Sequence, residues 1–369
     1  MEITMKKSIA YTFMAAMTLL AASVLFSSCE KVSPTGVLIG NTSVDDRVNQ
    51  SMVNFSASEV AWDKELPDSI EEYSFLVGSD SHITYDPGRL EEMLEIGMEN
   101  DDLFFCHLGD LADTKAEYYN NTEWALRKAL DKWMEKYLIP YSYEGLEAAD
   151  TVLYQDPRTG NVYNINFFSF LPSTLPFYPV VGNHDITHNG WSLFSRLFKT
   201  SFYEFTVKAG KCDKYDRFIF LDSANGTLGN YQIDEIENGF FQRDKKNIRC
   251  TFVFTHTNIF RPSLNEFAST YCREELYYIL DKLADWKTTI AFWGHVHAWD
   301  DREFGDVRHI TMPSMNFVDH PNGGDNLLVR VTVLKDGTAK VEPVGLHCKE
   351  RSKEELESLG YYTSTSKDY

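Results

Sequence analysis

The side chains in this sequence that are best suited to hold metal ions lie in five short segments. In chain order these segments contain Asp80 and His82, Asp110 and Asp113, Asn183 with His184 and Asp185, His256, and His295 with His297. Together they offer seven oxygen and nitrogen ligands and one additional histidine. Two adjacent metal ions need ligands of these types, and the additional histidine has the chemistry of a proton donor.

A pair of metal ions suits the hydrolysis of phosphate esters. A phosphate ester resists attack by hydroxide because both are anions, whereas two cations about 3.5–4 Å apart hold the phosphoryl oxygens and lower the pKa of a bound water. The available ligands are carboxylate, amide and imidazole groups without a thiolate, which favours iron, manganese or zinc over calcium or copper(I). We therefore expect two divalent or mixed-valence ions, and the choice among iron, manganese and zinc stays open.

Short apolar runs precede the ligand segments and predict buried strands that end at them. These runs are Tyr73–Val77, Leu103–Cys106, Phe177–Val181, Thr251–Phe254 and Ile290–Trp293. Similar runs predict further strands at Phe218–Leu221, Val307–Met312, Leu327–Leu334 and Ala339–Val344. Apolar residues at three- and four-residue spacing predict helices at Arg89–Asn100, Trp124–Tyr137, Gln232–Lys245 and Glu274–Trp286. Polar ligands at strand ends are typical of an α/β sheet.

Each ligand segment is weak when taken alone, because Asp-x-His and His-x-His sequences usually mark turns and surface residues. Five of them in this order, each after an apolar run, are hard to obtain by chance. The set resembles the calcineurin-like metallophosphoesterases, a family of binuclear metal phosphatases, phosphodiesterases and nucleases, over roughly residues 73 to 317. The resemblance implies an α/β fold, a four-layer α/β/β/α sandwich of two mixed β-sheets.

The resemblance also implies how the ligands divide between two ions. Asp110 would bridge the two. The remaining ligands of the first ion would be Asp80, His82 and His297, and those of the second would be Asn183, His256 and His295. Gly109 and Gly182 each precede a ligand, and we expect them to permit a sharp turn and a close approach of the backbone.

The histidine that this scheme leaves over is His184. In the family that the sequence resembles, this position protonates the leaving alkoxide. Its partner would be Asp113, whose carboxylate favours the protonated imidazole. Asp185 would serve as a hydrogen-bonding partner of a metal-bound histidine.

The first residues have the features of a bacterial lipoprotein signal. Lys6 and Lys7 precede an apolar run from Ile9 to Phe26, which ends in small residues at Cys29. We expect Cys29 to be the lipid attachment site, with membrane-spanning and simple secretory signals as alternatives. The predicted organisation is a signal peptide over residues 1–28, a tether over 29–70, a metallophosphoesterase domain over 71–348 with an insertion at about 115–175, and a charged tail over 349–369.

The formal net charge of −20 at pH 7 restricts the class of partner. General nucleic-acid binding needs clustered Lys and Arg, so we do not expect it here. An anionic substrate remains compatible, since bound metal ions reverse the local field. Arg261, Asn258 and Trp299 follow ligand segments and are weaker candidates for the substrate pocket, with ordinary packing as the alternative.

These observations predict an exported, lipid-anchored phosphoesterase in the cell envelope of a bacterium. It would hydrolyse a phosphate monoester or diester, of a small molecule or a lipid head group, through a hydroxide activated by two metal ions, with His184 as general acid. Two alternatives stay open. One is a surface lipoprotein of the same fold that binds a ligand or envelope partner without catalysis. The other is an exported nuclease, which the acidic charge disfavours.

Overall fold

Two large β-sheets, a two-stranded sheet of β4 and β5, and the helices around them make up the structure, which is a computed structural model. It describes residues 42–56, 63–112, 116–136, 152–155, 162–165, 177–240, 247–260, 271–317 and 326–363. The strands are β1 (Lys64–Glu65), β2 (Tyr73–Gly78), β3 (Phe105–His107), β4 (Val152–Gln155), β5 (Val162–Ile165), β6 (Phe177–Pro179), β7 (Tyr203–Lys208), β8 (Tyr215–Phe220), β9 (Ile248–Thr255), β10 (Ile290–Trp293), β11 (Asp300–Phe304), β12 (Val307–Thr311), β13 (Leu327–Val333) and β14 (Ala339–Gly345).

The described helices pack beside these sheets. They are α1 (Val44–Ser56), α2 (Gly88–Glu99), α3 (Ala116–Lys136), α4 (Gly190–Phe198), α5 (Asn230–Glu237), α6 (Arg273–Asp285) and α7 (Lys353–Ser358). A 3₁₀ helix, His184–Asn189, leads directly into α4. Among the helices that the structure describes, none has both the length and the apolar character needed to cross a bilayer.

The two large sheets both mix parallel and antiparallel pairs. The order of the seven-stranded sheet is β1-β7-β8-β9-β10-β12-β11, and that of the five-stranded sheet is β14-β13-β2-β3-β6. Strands β2, β3 and β6 are parallel to one another, as are β8, β9, β10 and β12. Because parallel strands end at the same edge of their sheet, the segments that follow them are brought together there.

Three separate apolar cores show that the molecule has four layers. The core between the sheets is rich in phenylalanine, with Phe75 of β2 packed against Phe218 and Phe252 of the other sheet. A second core joins the five-stranded sheet to α2, α3 and α4. The third joins the seven-stranded sheet to α1, α5 and α6. The predicted α/β/β/α sandwich of two mixed sheets is therefore confirmed.

Residues 44–56 correct the prediction of a tether over residues 29–70. They form α1, whose Val44 and Val48 are buried in the core that covers the seven-stranded sheet. The short strand β1 then pairs with β7. The four-residue spacing of Val44, Val48 and Met52 is a helical pattern, but it lies among polar residues and is too short to stand out in the sequence. Residues 1–41, with Cys29, lie outside the described residues.

Two other segments belong to the folded domain. Helix α3 opens the predicted insertion, and its Tyr119, Leu126 and Leu130 are buried against the five-stranded sheet. In the C-terminal segment, predicted as a charged tail, α7 buries Leu356, and Tyr361 beyond it is also buried. Both α3 and the segment around α7 thus contribute buried side chains to the folded domain.

Candidate metal centre

Four of the predicted ligands meet where β2, β3 and β10 end. They are Asp80, His82, Asp110 and His297. The Nε2 atoms of His82 and His297 are 3.0 Å apart, and His297 Nε2 is 3.2 Å from Asp80 Oδ1. His82 Nε2 is 3.6 Å from Asp110 Oδ2. One donor atom from each residue lies within 4.8 Å of those of the other three, and three of the four residues are buried.

The other predicted ligands form a second group that shares Asp110 with the first. His256 Nε2 is 3.5 Å from Asp110 Oδ2 and 2.9 Å from Asn183 Oδ1. His295 Nδ1 is 2.8 Å from the same amide oxygen. One carboxylate oxygen of Asp110 therefore faces histidines of both groups. The structure brings all seven predicted ligands into one cluster, with the division between two groups that the family resemblance implied.

The backbone of the cluster is held in an uncommon conformation. Asp80, His82, Asp110, His295 and His297 all have φ between 41° and 74°. Left-handed backbone costs roughly 1–2 kcal/mol for a residue with a side chain, and residues kept in it cluster at functional sites. The five residues lie in the loops that directly follow β2, β3 and β10, where the chain leaves the strands.

Hydrogen bonds between the ligand loops keep the turns in place. The N–H of Asp80 donates to the Gly109 carbonyl at 3.1 Å, and the N–H of His82 donates to the Asp110 carbonyl at 3.0 Å. The N–H of His295 donates to Asp80 Oδ2 at 3.1 Å. The loops after β2, β3 and β10 are thereby fixed to one another, across both sheets.

The prediction for Gly109 and Gly182 is confirmed by the contact between their loops. A Cβ atom at Gly182 would overlap the backbone nitrogen and the carboxylate of Asp110, and one at Gly109 would lie 2.7 Å from the Gly182 nitrogen. Gly109 also has φ of +94°, a region open mainly to glycine. The loop that holds Asp110 can touch the loop that holds Asn183 because Gly109 and Gly182 have no side chains at the point of contact.

His256 shows how a ligand ring is oriented. Its Nδ1 lies 2.7 Å from the carbonyl oxygen of Leu108, which only accepts hydrogen bonds, so Nδ1 carries the proton. The lone pair of the neutral ring is then on Nε2, which faces Asn183 and Asp110. A metal-binding histidine commonly donates its other N–H to a carbonyl in this way.

The carboxylates and imidazoles of the cluster shift one another's pKa values: burial lowers the pKa of His297, but the neighbouring Asp80 carboxylate outweighs burial and raises it above its usual value. Burial raises the pKa of Asp80, but the neighbouring imidazoles, His297 foremost, outweigh burial and lower it below its usual value. His256 lowers the pKa of Asp110 against the same effect of burial. Burial, helped by His256, lowers the pKa of His295 to about 4. Ionised carboxylates and a neutral imidazole are the forms that bind metal ions.

The donor set fits two cations. Asp110 Oδ2 and Asn183 Oδ1 are acceptors, and so is the Nε2 of His256 when Nδ1 carries the only ring proton. His256 Nε2 is 2.9 Å from the amide oxygen and 3.5 Å from the carboxylate oxygen, and a cation among these three atoms would remove the repulsion between them. Donors bound at about 2.1 Å around one ion are about 3–3.5 Å apart, which is the spacing found here. Imidazole, amide and carboxylate ligands agree with iron, manganese or zinc.

His184 lies beside the cluster without joining either group. Its backbone N–H donates to Asp110 Oδ1 at 2.8 Å, and its ring lies 4.6 Å from the ring of His82. The side chain is half-buried at the edge of the centre. Its predicted partner, Asp113, lies outside the described residues.

Asp185 has a different role from the predicted one. Its buried carboxylate accepts from the backbone N–H groups of Gly182 and Asp110 at 2.8 Å and from the hydroxyl of Tyr119 at 2.5 Å. Burial and the nearby Asp110 raise the pKa of Asp185 to about 6. It therefore holds the ligand loops through their backbone instead of orienting an imidazole. Sequence reasoning missed Tyr119, which carries no local signal.

The weaker pocket candidates differ in their surroundings. Asn258 is buried, and its amide nitrogen donates to the carbonyl of Phe260 in its own loop. Trp299 is 37% exposed, on the segment that follows His297. Arg261 lies outside the described residues.

A family model described as calcineurin-like phosphoesterase matches residues 73–299. Since the match covers more than half of the chain, the protein belongs to the calcineurin-like phosphoesterase family. The matched segment contains all seven clustered ligands and His184. Family and geometry together define a phosphoesterase-family protein with a candidate binuclear metal site of Asp, Asn and His residues. No curated protein matched the chain.

Several solved structures are similar to this chain. GAP50, the anchor in the inner membrane complex of Plasmodium, is 14% identical with a TM-score of 0.43, over 78% of this chain and 93% of that one. Purple acid phosphatase PPD1 from yellow lupin is 12% identical with a TM-score of 0.44, over 83% and 59%. A putative 5'-nucleotidase from Staphylococcus aureus is 14% identical with a TM-score of 0.44, over 78% and 57%. Likeness at this level does not assign a substrate.

Proposed function

We propose that this protein is a metal-dependent phosphoesterase that hydrolyses a phosphate monoester or diester. The observation that supports it most is the position of Asp110. Its Oδ2 atom is 3.6 Å from His82 Nε2 in one ligand group and 3.5 Å from His256 Nε2 in the other. A carboxylate shared in this way is what a pair of adjacent ions requires.

In this proposal the two ligand groups hold one ion each. When bound, the two ions supply Lewis-acid stabilisation of the phosphoryl oxygens and lower the pKa of water. Asp80, His82 and His297 hold one side of the site, and Asn183, His256 and His295 hold the other.

His184 supplies the proton for the leaving oxygen. Its position supports this role, because the residue is fixed to Asp110 through its backbone while its half-buried ring stays outside both ligand groups. An imidazole protonates a leaving group efficiently near neutral pH, where both of its protonation states are accessible. Ser81 lies between two ligands, but its hydroxyl donates to the Leu111 carbonyl at 2.9 Å, so in this proposal the phosphoryl group is transferred directly to water and not to a side chain.

The proposal places the enzyme in a bacterial cell envelope, held to a membrane by lipid at Cys29. Its support is the sequence of the first residues, with Lys6 and Lys7, the apolar run and the cysteine that follows it. Two or more acyl chains are needed for stable anchoring. Mass spectrometry of the N-terminal peptide and membrane fractionation of a Cys29→Ser variant test it. A variant that is acylated and membrane-bound like the wild type contradicts it.

The activity is tested on the purified protein with its metal content measured by mass spectrometry. We expect about two metal ions per chain, hydrolysis of at least one ester in a panel of phosphomonoesters and phosphodiesters, loss of activity with chelator, and recovery on addition of manganese, iron or zinc. Asp110→Asn should lose metal and activity together. Asp301→Asn is the matched control, since Asp301 pairs with Arg308 on the surface.

A protein that binds both ions yet hydrolyses no ester in the panel contradicts catalysis. That outcome favours a binding protein of the same fold. Full activity in Asp110→Asn contradicts the bridging role of Asp110.

A further inference from the structure

The carboxylate of Asp185 joins the two loops that provide Asp110 and Asn183. Its Oδ2 accepts from the N–H of Gly182 and from the N–H of Asp110, each at 2.8 Å. Its Oδ1 accepts from the N–H of Leu111 at 3.0 Å. Asp185 is completely buried. One side chain therefore sets how far the loop after β3 lies from the loop after β6.

Tyr119 contacts that carboxylate from a third element. Its hydroxyl donates to Asp185 Oδ1 at 2.5 Å, from the first turns of α3. Tyr119 is only 1% exposed, and its ring belongs to the core between α3 and the five-stranded sheet. Because the ring is packed, the position of the hydroxyl is fixed by the helix layer and not by the ligand loops.

The two kinds of contact have different consequences. The backbone N–H groups move with the loops, so they do not by themselves fix where the carboxylate sits relative to the rest of the protein. The hydroxyl of Tyr119 does fix the position of the carboxylate, because its ring is packed in the core. A donor to a carboxylate also makes a stronger hydrogen bond than one between neutral groups. The alignment of Asp110 with Asn183 thus depends on a residue outside all five ligand segments.

We infer that Tyr119 is a positioning residue of the metal centre, which acts through Asp185 to hold the bridging carboxylate of Asp110 in line with Asn183. The inference rests on the proposed binuclear centre. Outer partners of metal ligands typically contribute 10- to 100-fold in metal affinity. The hydroxyl of Tyr119 acts one step further out, so its loss should weaken binding of the ion at Asn183 by about 10-fold.

The test is Tyr119→Phe, which removes the hydroxyl and keeps the ring. Calorimetric titration of the metal-free protein with Mn²⁺ should show one site nearly unchanged and the other weakened about 10-fold. The electron paramagnetic resonance spectrum of the Mn²⁺-loaded variant should contain less of the spin-coupled pair. The matched control is Tyr73→Phe, because Tyr73 also donates from a buried ring to a buried carboxylate, Asp216, at 2.8 Å.

Tyr73 begins β2, so it lies at the end of that strand away from Asp80. Tyr73→Phe should therefore keep both Mn²⁺ affinities and the coupled spectrum. A Tyr119→Phe protein with wild-type affinities and spectrum overturns the inference alone. A wild-type protein that binds fewer than two ions overturns the proposed centre, and the inference with it. If Tyr119 acts through Asp185, the loss of Mn²⁺ affinity in the double variant Tyr119→Phe with Asp185→Asn should be smaller than the sum of the losses in the two single variants, expressed as free energies. Strict additivity of the two losses also counts against the inference.

Discussion

Arg47 and Asp222 form an ion pair in which neither side chain is exposed. The guanidinium donates through Nε to Asp222 Oδ2 at 2.9 Å and through Nη2 to Oδ1 at 2.7 Å, although the residues are 175 positions apart. Ser201 donates to the same carboxylate at 2.7 Å. Asp222 follows β8, the neighbour of β9, which leads to His256. The pair therefore holds helix α1 against the sheet that positions part of the metal centre.

Arg47→Met should destabilise the protein strongly. The substitution leaves the Asp222 carboxylate buried without its cation, which typically costs about 3–5 kcal/mol. The free energy of unfolding in urea measures this. Arg308→Met is the control, because Arg308 pairs with Asp301 on the surface, and should change it by less than about 1 kcal/mol. Equal, small effects of the two substitutions are incompatible with a structural role for the buried pair.

His184→Gln should keep the metal and lose most of the turnover. Loss of a general acid typically lowers kcat by about 10²- to 10⁴-fold, and the effect is larger for alkyl than for aryl esters because an alkoxide leaves poorly without a proton. Metal analysis and kcat on a series of leaving groups measure both. His347→Gln, at an exposed position, serves as control. Unchanged kcat on alkyl esters assigns the acid elsewhere.

Gly182→Ala should disturb the metal centre with little change elsewhere. The new methyl group overlaps the backbone and carboxylate of Asp110, so the bridging oxygen is displaced. We expect lower metal content and a lower kcat/KM. Gly305→Ala is matched to it, because a Cβ at Gly305 meets no atom within 4 Å. That control costs about 1 kcal/mol in stability, since Gly305 has φ of +59°, and should keep both metal content and kcat/KM. Normal metal content in Gly182→Ala would show that the two loops tolerate separation.

His309 should make the stability of the protein depend on pH. Burial lowers its pKa to about 4, and the ring lies 5.9 Å from that of Trp293 and 5.0 Å from that of Phe260. The pKa of a histidine in the unfolded chain is about 6.5. Below that pH the unfolded chain therefore binds a proton at this position, whereas the folded chain stays unprotonated until the pH approaches 4. Stability is therefore unaffected above about pH 6.5 and falls as the pH approaches 4, where the loss is complete.

The expected loss from His309 is about 2 kcal/mol between pH 7 and pH 5. Unfolding of the metal-free protein, compared with His309→Gln over this range, isolates it, because the variant lacks that part of the pH dependence. Parallel curves for the two proteins would contradict a depressed pKa at His309.

The local features of the fold were predictable from the sequence. The run Ile290–Trp293 was predicted as a strand and is β10 with the same bounds. An apolar run that ends in polar residues indicates a buried strand and the residue at which it ends, and this signal does not depend on any other part of the chain. The edge strand β11 was missed because its residues, Asp300–Phe304, are mostly polar and exposed. Helix α1 was missed because its apolar stripe is short.

The sequence by itself determined which side chains are available as ligands, since residue types at strand ends are local features. Only the tertiary structure decided that one oxygen of Asp110 faces both His82 and His256, and that Asp185 and Tyr119 hold the loops. These relationships join residues that are remote in the chain, 66 positions for Tyr119 and Asp185. The distances between these residues are set by how the helix and sheet layers pack together, and no single segment of the sequence encodes that packing.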